Sequence, residues 1–504
     1  MTQPIVWEAI TPPLALAIAA LGALLVEAFA PRIRSAAGIV SLVGIGVALV
    51  STVSMRGEPQ SAFCFAGGLE QPTSCSWIVD DVTIAWWLIM LVATALVVLL
   101  CWPAALSGEL SPGELHFLLL SSATGALAVA ASGDLVTLLV AMETVSLPAF
   151  ALVAIRRADR RGAEAALKFF VASVVATAFS LLGISLVYGA TGSVLAGPVS
   201  AAAATGAAVT PVIGVGMVLT VVALAFKVAA VPFQVWVPDT YVGAPVPVAG
   251  YLSVVSKAAG LAGLTIVLAR FMAAYVDTWT TVVAVSAALT MTVGNLGALR
   301  QQHVVRLLAW SSVAQAGYLL VPLAAGATPD DVTAVLAYAL MYAVVNLAAF
   351  AAAVALASWG VSRVDECTGL ARSHPWIGGS LAFALLCLAG LPPGIVGLIA
   401  KVAVFQRAVD GIGVDTTWLA VVMAVNVAIG LVYYLRFLVV LLRPVPAGQH
   451  LGATSDEAGA DQDDDWEGLD PDVPWSTEFV VGVTLAAALV LSVFPGLLFA
   501  AVSP

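Results

Sequence analysis

The stretch Ala225–Tyr241, AFKVAAVPFQVWVPDTY, decides how this 504-residue sequence folds. It places Lys227 and Pro232 at the end of an apolar run, Thr210 to Ala230, that is long enough to cross a bilayer. A mid-helix lysine costs roughly 2.5 to 3.5 kcal/mol in a membrane, and a proline inside a helix removes a backbone hydrogen bond. The combination predicts an interrupted membrane helix that carries a functional group.

The composition supports a membrane protein. The chain is 61% hydrophobic and 10% charged, with a mean hydropathy of +1.05. One soluble core cannot bury so many apolar residues, so most of them must face lipid. The net charge of −11 is a local feature, because nine of the thirty carboxylates lie in residues 456–472.

Windows of about twenty apolar residues predict an all-α integral membrane protein with about fourteen transmembrane helices. No cleavable signal peptide is evident, since residues 1–10 contain no lysine or arginine. We therefore expect the first helix to remain in the mature protein as a membrane span. The predicted spans are 10–30, 37–55, 82–102, 114–132, 134–154, 165–189, 210–237, 247–273, 278–297, 303–325, 331–358, 376–408, 418–442 and 477–501.

The arginines predict the orientation of these helices. With both termini outside, eleven arginines fall in inside loops and three in outside loops, as the positive-inside rule requires. The cluster 155-IRRADRRG-162 supplies four of the eleven, and we interpret it as a topology anchor and not as a nucleic-acid patch. The outside three are Arg56, Arg270 and Arg407.

All four lysines lie inside predicted spans: Lys168, Lys227, Lys257 and Lys401. A buried lysine can take up and release a proton near neutral pH, whereas arginine stays charged. Glu143 is central in its span and is a candidate partner for Lys227. The pattern predicts a proton relay through Glu143, Lys227, Lys257 and Lys401.

Several of these charges also have simpler interpretations. Lys168 follows Glu164 by one turn, which suits an ion pair at the membrane surface as well as a relay role. Glu143, Lys227, Lys257 and Lys401 could be purely structural charges between helices. Among the secondary candidates, His303 suits an interfacial position as well as the relay, and Glu27 suits a helix boundary.

The prolines suggest two related halves. Pro232 interrupts the seventh span, and Pro392 and Pro393 interrupt the twelfth, each with a lysine nearby. The five-helix separation predicts repeats over spans 4–8 and 9–13, and an odd number of helices inverts the second repeat. The predicted segments are an N-terminal three-helix segment 1–110, repeats 111–275 and 276–443, an acidic loop 444–476 and a C-terminal helix 477–504.

The run Phe226–Lys257, FKVAAVPFQVWVPDTYVGAPVPVAGYLSVVSK, resembles the antiporter-like membrane subunits of respiratory complex I, in particular the N type. Further matches are Glu143, the helix 308-LAWSSVAQAGYLL-320 and the stretch 389-AGLPPGIVGLIAK-401. The resemblance covers most of the chain. It departs at Gln234, where many relatives have histidine, and at the acidic insert before the last span.

The resemblance implies a proton-translocating subunit of bacterial NADH:quinone oxidoreductase in the plasma membrane. Its partners would be other complex I membrane subunits and lipids, and its substrate would be protons. The resemblance also implies no cofactor on this chain, with flavin, iron–sulfur clusters and quinone in partner subunits. The sequence agrees, since it contains no CxxC pair, no clustered histidine and cysteine ligands and no dinucleotide fingerprint. A sodium/proton antiporter subunit and a non-pumping structural subunit are the alternatives.

The cysteines and the acidic stretch 444–474 lie outside the predicted relay. Cys64 and Cys75 share a predicted outside loop, where they can form a disulfide or stay free. The remaining cysteines, Cys101, Cys367 and Cys387, are interpreted as buried or boundary thiols. The acidic stretch 444–474 is predicted to be a flexible linker, with a docking role as the alternative.

Overall fold

The computed structural model describes residues 5–64, 75–204, 210–411, 416–444 and 473–502. These residues are nearly all helical. In the first half of the chain, the helices and strands are α1 (Trp7–Phe29), α2 (Ala36–Ser54), β1 (Gln60–Cys64), β2 (Cys75–Val79), α3 (Asp81–Ser107), α4 (Pro112–Ala131), α5 (Leu135–Val153), α6 (Arg160–Thr191), α7 (Ala196–Ala204), α8 (Thr210–Thr220), α9 (Val222–Val228), α10 (Trp236–Gly243), α11 (Val246–Tyr251) and α12 (Lys257–Ile266).

The second half continues the helical pattern after a short 3-10 turn at Ala273–Tyr275. Two π-helical segments, Leu252–Ser256 and Val267–Phe271, flank α12. The later helices are α13 (Val276–Leu299), α14 (Val304–Ala325), α15 (Pro329–Ser358), α16 (Leu370–Ser373), α17 (Pro375–Ala389), α18 (Ile395–Asp410), α19 (Thr417–Leu442), α20 (Trp475–Val493) and α21 (Gly496–Ala500).

Thirteen helical segments in the described part of the chain are long and apolar enough to cross a membrane. The one predicted span not among these thirteen is the twelfth, 376–408, which is divided into α17 and α18 on either side of residues 390–394. The prediction of an all-α, multi-pass membrane protein is therefore confirmed, with breaks in the seventh and twelfth spans. The division into five segments stays a prediction, and most of the acidic linker, 445–472, lies outside the described residues.

Three local features differ from the sequence prediction. The seventh span continues past its break through α10 to Gly243, and the last span divides at Pro495, where a proline cannot continue the helix. An antiparallel hairpin, β1 and β2, precedes α3, with Cys64 opposite Cys75 and a disulfide between them. The hairpin was not predicted because its two short strands lie between strong membrane spans.

The centre of the molecule is formed by the spans that carry polar groups. In the most apolar window of α14, 94% of the residues are buried, and the same holds for the segment 246–271, whereas the value for α6 is 33%. Helices α13 and α14 pack along most of their length, and α14 also packs on α15 and α18. Polar side chains on α14 and α12 are thus enclosed by other helices and do not face lipid.

Candidate functional site

The break after α9 is stabilised by a neighbouring helix. Ala229 takes a left-handed conformation with φ of 69°. The backbone N–H of Val231 donates to the Thr290 hydroxyl at 2.9 Å, and the Ser286 hydroxyl donates to the Val231 carbonyl at 3.2 Å. The indole N–H of Trp236 donates to the Phe226 carbonyl. Side chains therefore satisfy the backbone groups that the interruption frees, as a bilayer requires.

Lys227 occupies the last turn of α9, inside an aromatic cluster. Its side chain is buried, and Nζ lies 5.3 Å from the ring centre of Phe169 and 6.0 Å from that of Phe150. Phe169 in turn stacks on Trp236 at 4.3 Å. Within the described residues, Nζ has no hydrogen-bond partner. Ring faces stabilise a cation without fixing a proton, so this position suits an amine that changes its charge.

Glu143 lies on α5, partly exposed, and accepts a 2.5 Å hydrogen bond from the Thr177 hydroxyl on α6. It is close enough to Lys227 for an electrostatic interaction. No ion pair joins the two side chains among the described ion pairs. The predicted partners are thus brought near each other, and the charge of one acts on the other through space.

Lys257 begins α12, directly after the π-helical segment Leu252–Ser256. Such segments often occur at functional sites. The buried ammonium group donates hydrogen bonds to both the carbonyl and the hydroxyl oxygen of Ser312 on α14. Its Nζ also lies 5.5 Å from the ring centre of Tyr342, whose hydroxyl donates to Ser312 at 2.8 Å. Ser312 therefore couples the lysine to a tyrosine.

Gly260 allows α9 to approach α12 closely at Lys227. It lies one turn after Lys257 on α12, and a Cβ at this position would stand 2.8 Å from the Cβ of Lys227. Residues three apart share one helix face, so Lys227 packs against the face of α12 that carries Lys257. Spans seven and eight, which carry the two lysines, are thus in close contact at Gly260.

Lys401 lies on α18, after the second break, and binds a backbone group at that break. Its buried Nζ donates to the carbonyl of Leu388, near the end of α17. The ring centres of Tyr318 and Tyr338 lie 5.6 and 6.0 Å away. Gly390 has a φ of 81°, and a Cβ there would be 3.1 Å from Lys401 Cδ. The interruption therefore supplies both a free carbonyl and room for the lysine.

Helix α14 carries polar groups between Lys257 and Lys401. Gln315 donates to the Leu388 carbonyl that Lys401 also binds, and it accepts a 2.6 Å bond from the Tyr338 hydroxyl. Gln315 and Ser311 both contact the hydroxyl of Tyr434, at 3.1 and 2.5 Å. Hydroxyl groups can donate and accept at once, so this cluster can transfer protons along part of its length.

The polar side chains of the stretch 308–320 were not among the predicted relay residues. A signal was present, because Ser311 and Ser312 lie four and three residues before Gln315 within a span. Polar residues at helical spacing in an apolar helix predict a face turned to the protein interior. Their partners Tyr338 and Tyr342 on α15 follow the same spacing.

Lys168 lies apart from the three buried lysines. Its side chain is 51% exposed and makes ion pairs with Glu164 at 2.8 Å and Asp239 at 3.1 Å. Asp239 also pairs with Arg306 at 3.1 Å. The i,i+4 pair that the sequence offered as an alternative is therefore present. A relay role for Lys168 stays a prediction.

His303 precedes α14 and forms an antiparallel backbone bridge with Arg363. Partial burial lowers the pKa of its imidazole below the ordinary value, the charge of Arg306 lowers it further, and Glu366 opposes them. The surroundings of His303 therefore disfavour the charged form of its imidazole. Both the interfacial interpretation of His303 and its place in the relay stay predictions.

Glu27 ends up at a helix boundary. Its carboxylate accepts bonds from the Ser111 hydroxyl and from the backbone N–H groups of Gly113 and Glu114, at 2.8 to 3.2 Å. These are unpaired N–H groups of the first turn of α4, where a negative charge is stabilising. Glu27 therefore caps α4 from α1.

A family model described as NADH:quinone oxidoreductase/Mrp antiporter, transmembrane, matches residues 132–430. The chain is 48% identical over 476 residues to NADH-quinone oxidoreductase subunit N 2 of Streptomyces griseus, covering 91% of this chain and 87% of that protein. It is 42% identical over 454 residues to NADH-quinone oxidoreductase subunit N of Salinispora tropica, covering 88% and 86%.

Solved structures show the same architecture. A chain of respiratory complex I from Thermus thermophilus with bound aureothin superimposes with a TM-score of 0.76 at 29% identity, covering 98% of this chain and 99% of that one. A chain of the Mrp complex from Dietzia sp. gives 0.81 at 24% identity, covering 99% and 97%. The second likeness concerns the fold alone.

Proposed function

Since the chain belongs to the family of NADH:quinone oxidoreductase and Mrp antiporter membrane subunits, we propose that it moves protons across the membrane as subunit N of an NADH:quinone oxidoreductase. The observation that carries the proposal is the row of buried lysines. Lys227, Lys257 and Lys401 each lie against aromatic rings inside the helix bundle. Such charges are costly in a membrane and usually mark a pathway for ions.

The proposed transfer begins with a conformational change in the neighbouring subunit that alters the protonation of the Glu143 carboxylate. Lys227 responds through space and exchanges a proton with Lys257, whose helix it contacts. The hydroxyl groups around Ser312 and Tyr434 then convey the proton toward Lys401. Release from Lys401 restores the first arrangement. Each step changes the electrostatic environment of the next group, which is how coupled sites respond.

The remaining assignments are part of the same proposal. The chain would lie in the bacterial plasma membrane with both termini outside, next to other complex I membrane subunits and lipids. Flavin, iron–sulfur clusters and quinone would bind to partner subunits, so this chain contributes no redox centre. The work done by quinone reduction elsewhere would reach it through contacts between subunits.

Glu143→Gln tests the proposal. The amide oxygen of glutamine can still accept the bond from Thr177, so helices α5 and α6 keep their contact and the complex should assemble. The experiment measures NADH:quinone turnover and proton uptake in vesicles that contain equal amounts of complex. We expect both to fall strongly. Normal proton uptake with the variant complex would reject the proposed role.

A sodium/proton antiporter is the second candidate, because the description of the family model that matches residues 132–430 also names the Mrp antiporter. The relatives at 48% and 42% identity are NADH-quinone oxidoreductase subunits, which favours the first function. Sodium-dependent proton exchange by the chain without any NADH-oxidising partner would reverse this order.

A further inference from the structure

Asp331 and Arg407 form a buried ion pair less than two helical turns from Lys401. Asp331, in the first turn of α15, is fully buried, and its Oδ1 accepts a 2.6 Å bond from the Nε of Arg407 on α18. Only 19% of the Arg407 side chain is exposed. Arg407 follows Lys401 by six residues, which is about 9 Å along the helix. Both groups belong to the half-helix that follows the break.

The two carboxylate oxygens of Asp331 bind different partners. Oδ2 accepts bonds from the backbone N–H and the hydroxyl of Thr328, and the backbone N–H of Asp331 donates to the Thr328 hydroxyl oxygen, which completes a capping box at the start of α15. Oδ1 is left for Arg407. A buried carboxylate with all its bonds made holds its partner in one geometry. The pair therefore fixes the end of α18 to the start of α15.

One face of α15 contacts α18 at two positions along the helix axis. Asp331 and Tyr338 are seven residues apart, which places them on the same face. Asp331 binds Arg407, and the ring of Tyr338 lies against Lys401. Four residues further, Tyr342 lies against Lys257. Arg407 and Lys401 of α18 therefore contact the same face of α15, at Asp331 and at Tyr338.

The first repeat has a comparable tie. The half-helix after its break, α10, carries Asp239, which pairs with Lys168 on α6. The predicted repeats match span six with span eleven and span seven with span twelve. In both halves, the segment after the break is therefore joined to the preceding span by an ion pair. The charges are exchanged, since the second half has arginine on the broken helix and aspartate on its neighbour.

We propose that Asp331 and Arg407 are a positioning pair for proton transfer at Lys401, which they support by holding α18 against α15 at the predicted outside end. The proposal rests on the proposed function and adds two residues to it. Arg407 was counted in the sequence only as an outside arginine. Its role here follows from its contact with a buried carboxylate.

Arg407→Gln tests the pair, with Asp330→Asn as a matched control. Asp330 is the neighbouring carboxylate, 85% exposed and 3.9 Å from Arg407. The assay measures NADH-driven proton uptake per assembled complex. We expect Arg407→Gln to lose most of the uptake that Lys401→Ala loses, while Asp330→Asn behaves as the wild type. The double variant Arg407→Gln with Lys401→Ala should be no worse than Lys401→Ala alone, and Arg407→Lys should restore much of the uptake.

Asp331→Asn keeps the size of the side chain and an oxygen for Thr328, so it decides the matter if Arg407→Gln fails to assemble. Loss of uptake in an assembled Asp331→Asn complex supports the proposal. If Lys401→Ala abolishes uptake but Asp331→Asn and Arg407→Gln match Asp330→Asn, the positioning role is wrong. If Lys401→Ala itself pumps normally, the proposed function fails instead.

Discussion

Gly260→Ala should impair proton transfer while leaving the fold intact. The added methyl group would stand 2.8 Å from the Cβ of Lys227 and 3.1 Å from the backbone nitrogen of Val228. Carbon atoms normally stay about 3.5 to 4.0 Å apart, so Lys227 must move by roughly 1 Å. The nearest atom is the root of the lysine side chain, which cannot swing aside as its end could.

The energies decide which effect dominates. Overpacking of this kind costs about 1 to 3 kcal/mol, and replacing glycine by alanine within a helix returns about 1 kcal/mol. The net cost is about 0 to 2 kcal/mol, which a large membrane complex tolerates. A reacting group displaced by about 1 Å can lose about a hundredfold in rate. We therefore expect an assembled complex whose proton uptake is at least about tenfold slower.

Gly189→Ala is the control for this substitution. Gly189 lies on α6 with open space around its Cβ position, and it offers the same gain in helix propensity. Both variants would be purified as complexes and compared for NADH:quinone turnover and proton uptake in vesicles. Equal uptake by Gly260→Ala and Gly189→Ala would refute the argument that the contact at Gly260 positions Lys227.

Three further results are expected. Ser312→Ala removes the hydroxyl that accepts from Lys257, a charge-assisted bond worth about 1.5 to 3 kcal/mol, so proton uptake in vesicles should fall while assembly persists; unchanged uptake would count against the bond. Cys64 and Cys75 form a disulfide, so an impermeant maleimide should label them only after reduction, and labelling of the unreduced complex would contradict this. The pKa of His303 is lowered, so the unfolded chain binds its proton at a higher pH than the folded one, and stability is lost as the pH falls below the ordinary 6.5. Isotope-edited infrared titration of the wild type and His303→Gln should place the midpoint below that value, and a midpoint above it would refute the assignment.

The spans and their two interruptions could be predicted from the sequence because bilayer thickness and backbone hydrogen bonding leave few alternatives. The burial of Lys227, Lys257 and Lys401 between helices could also be predicted, since a charge that faces lipid is expensive, and their role in a relay stays a prediction. Pro232 marked the first break within a few residues. The hairpin before α3 was missed because its two short strands carry no strong sequence pattern. A disulfide and a few local hydrogen bonds stabilise it.

The contacts of the site could not be predicted from one sequence. Which carbonyl Lys401 binds depends on how α17 ends, and that follows from packing between helices distant in the chain. Glu143 was expected beside Lys227, yet the structure gives Glu143 a hydrogen bond from Thr177 and surrounds Lys227 with aromatic rings. Spacing along one helix shows which residues share a face, but it does not show which face of another helix they meet.

Lys227→Arg is the measurement that tests the central claim most directly. Arginine keeps the positive charge and can lie against the rings of Phe150 and Phe169, but it does not release its proton. The native complex with this variant would be assayed for NADH:quinone turnover and proton uptake in the same vesicles. A proton relay predicts an assembled complex with little proton uptake. Wild-type uptake would show that position 227 needs only a charge, and the relay would then be wrong.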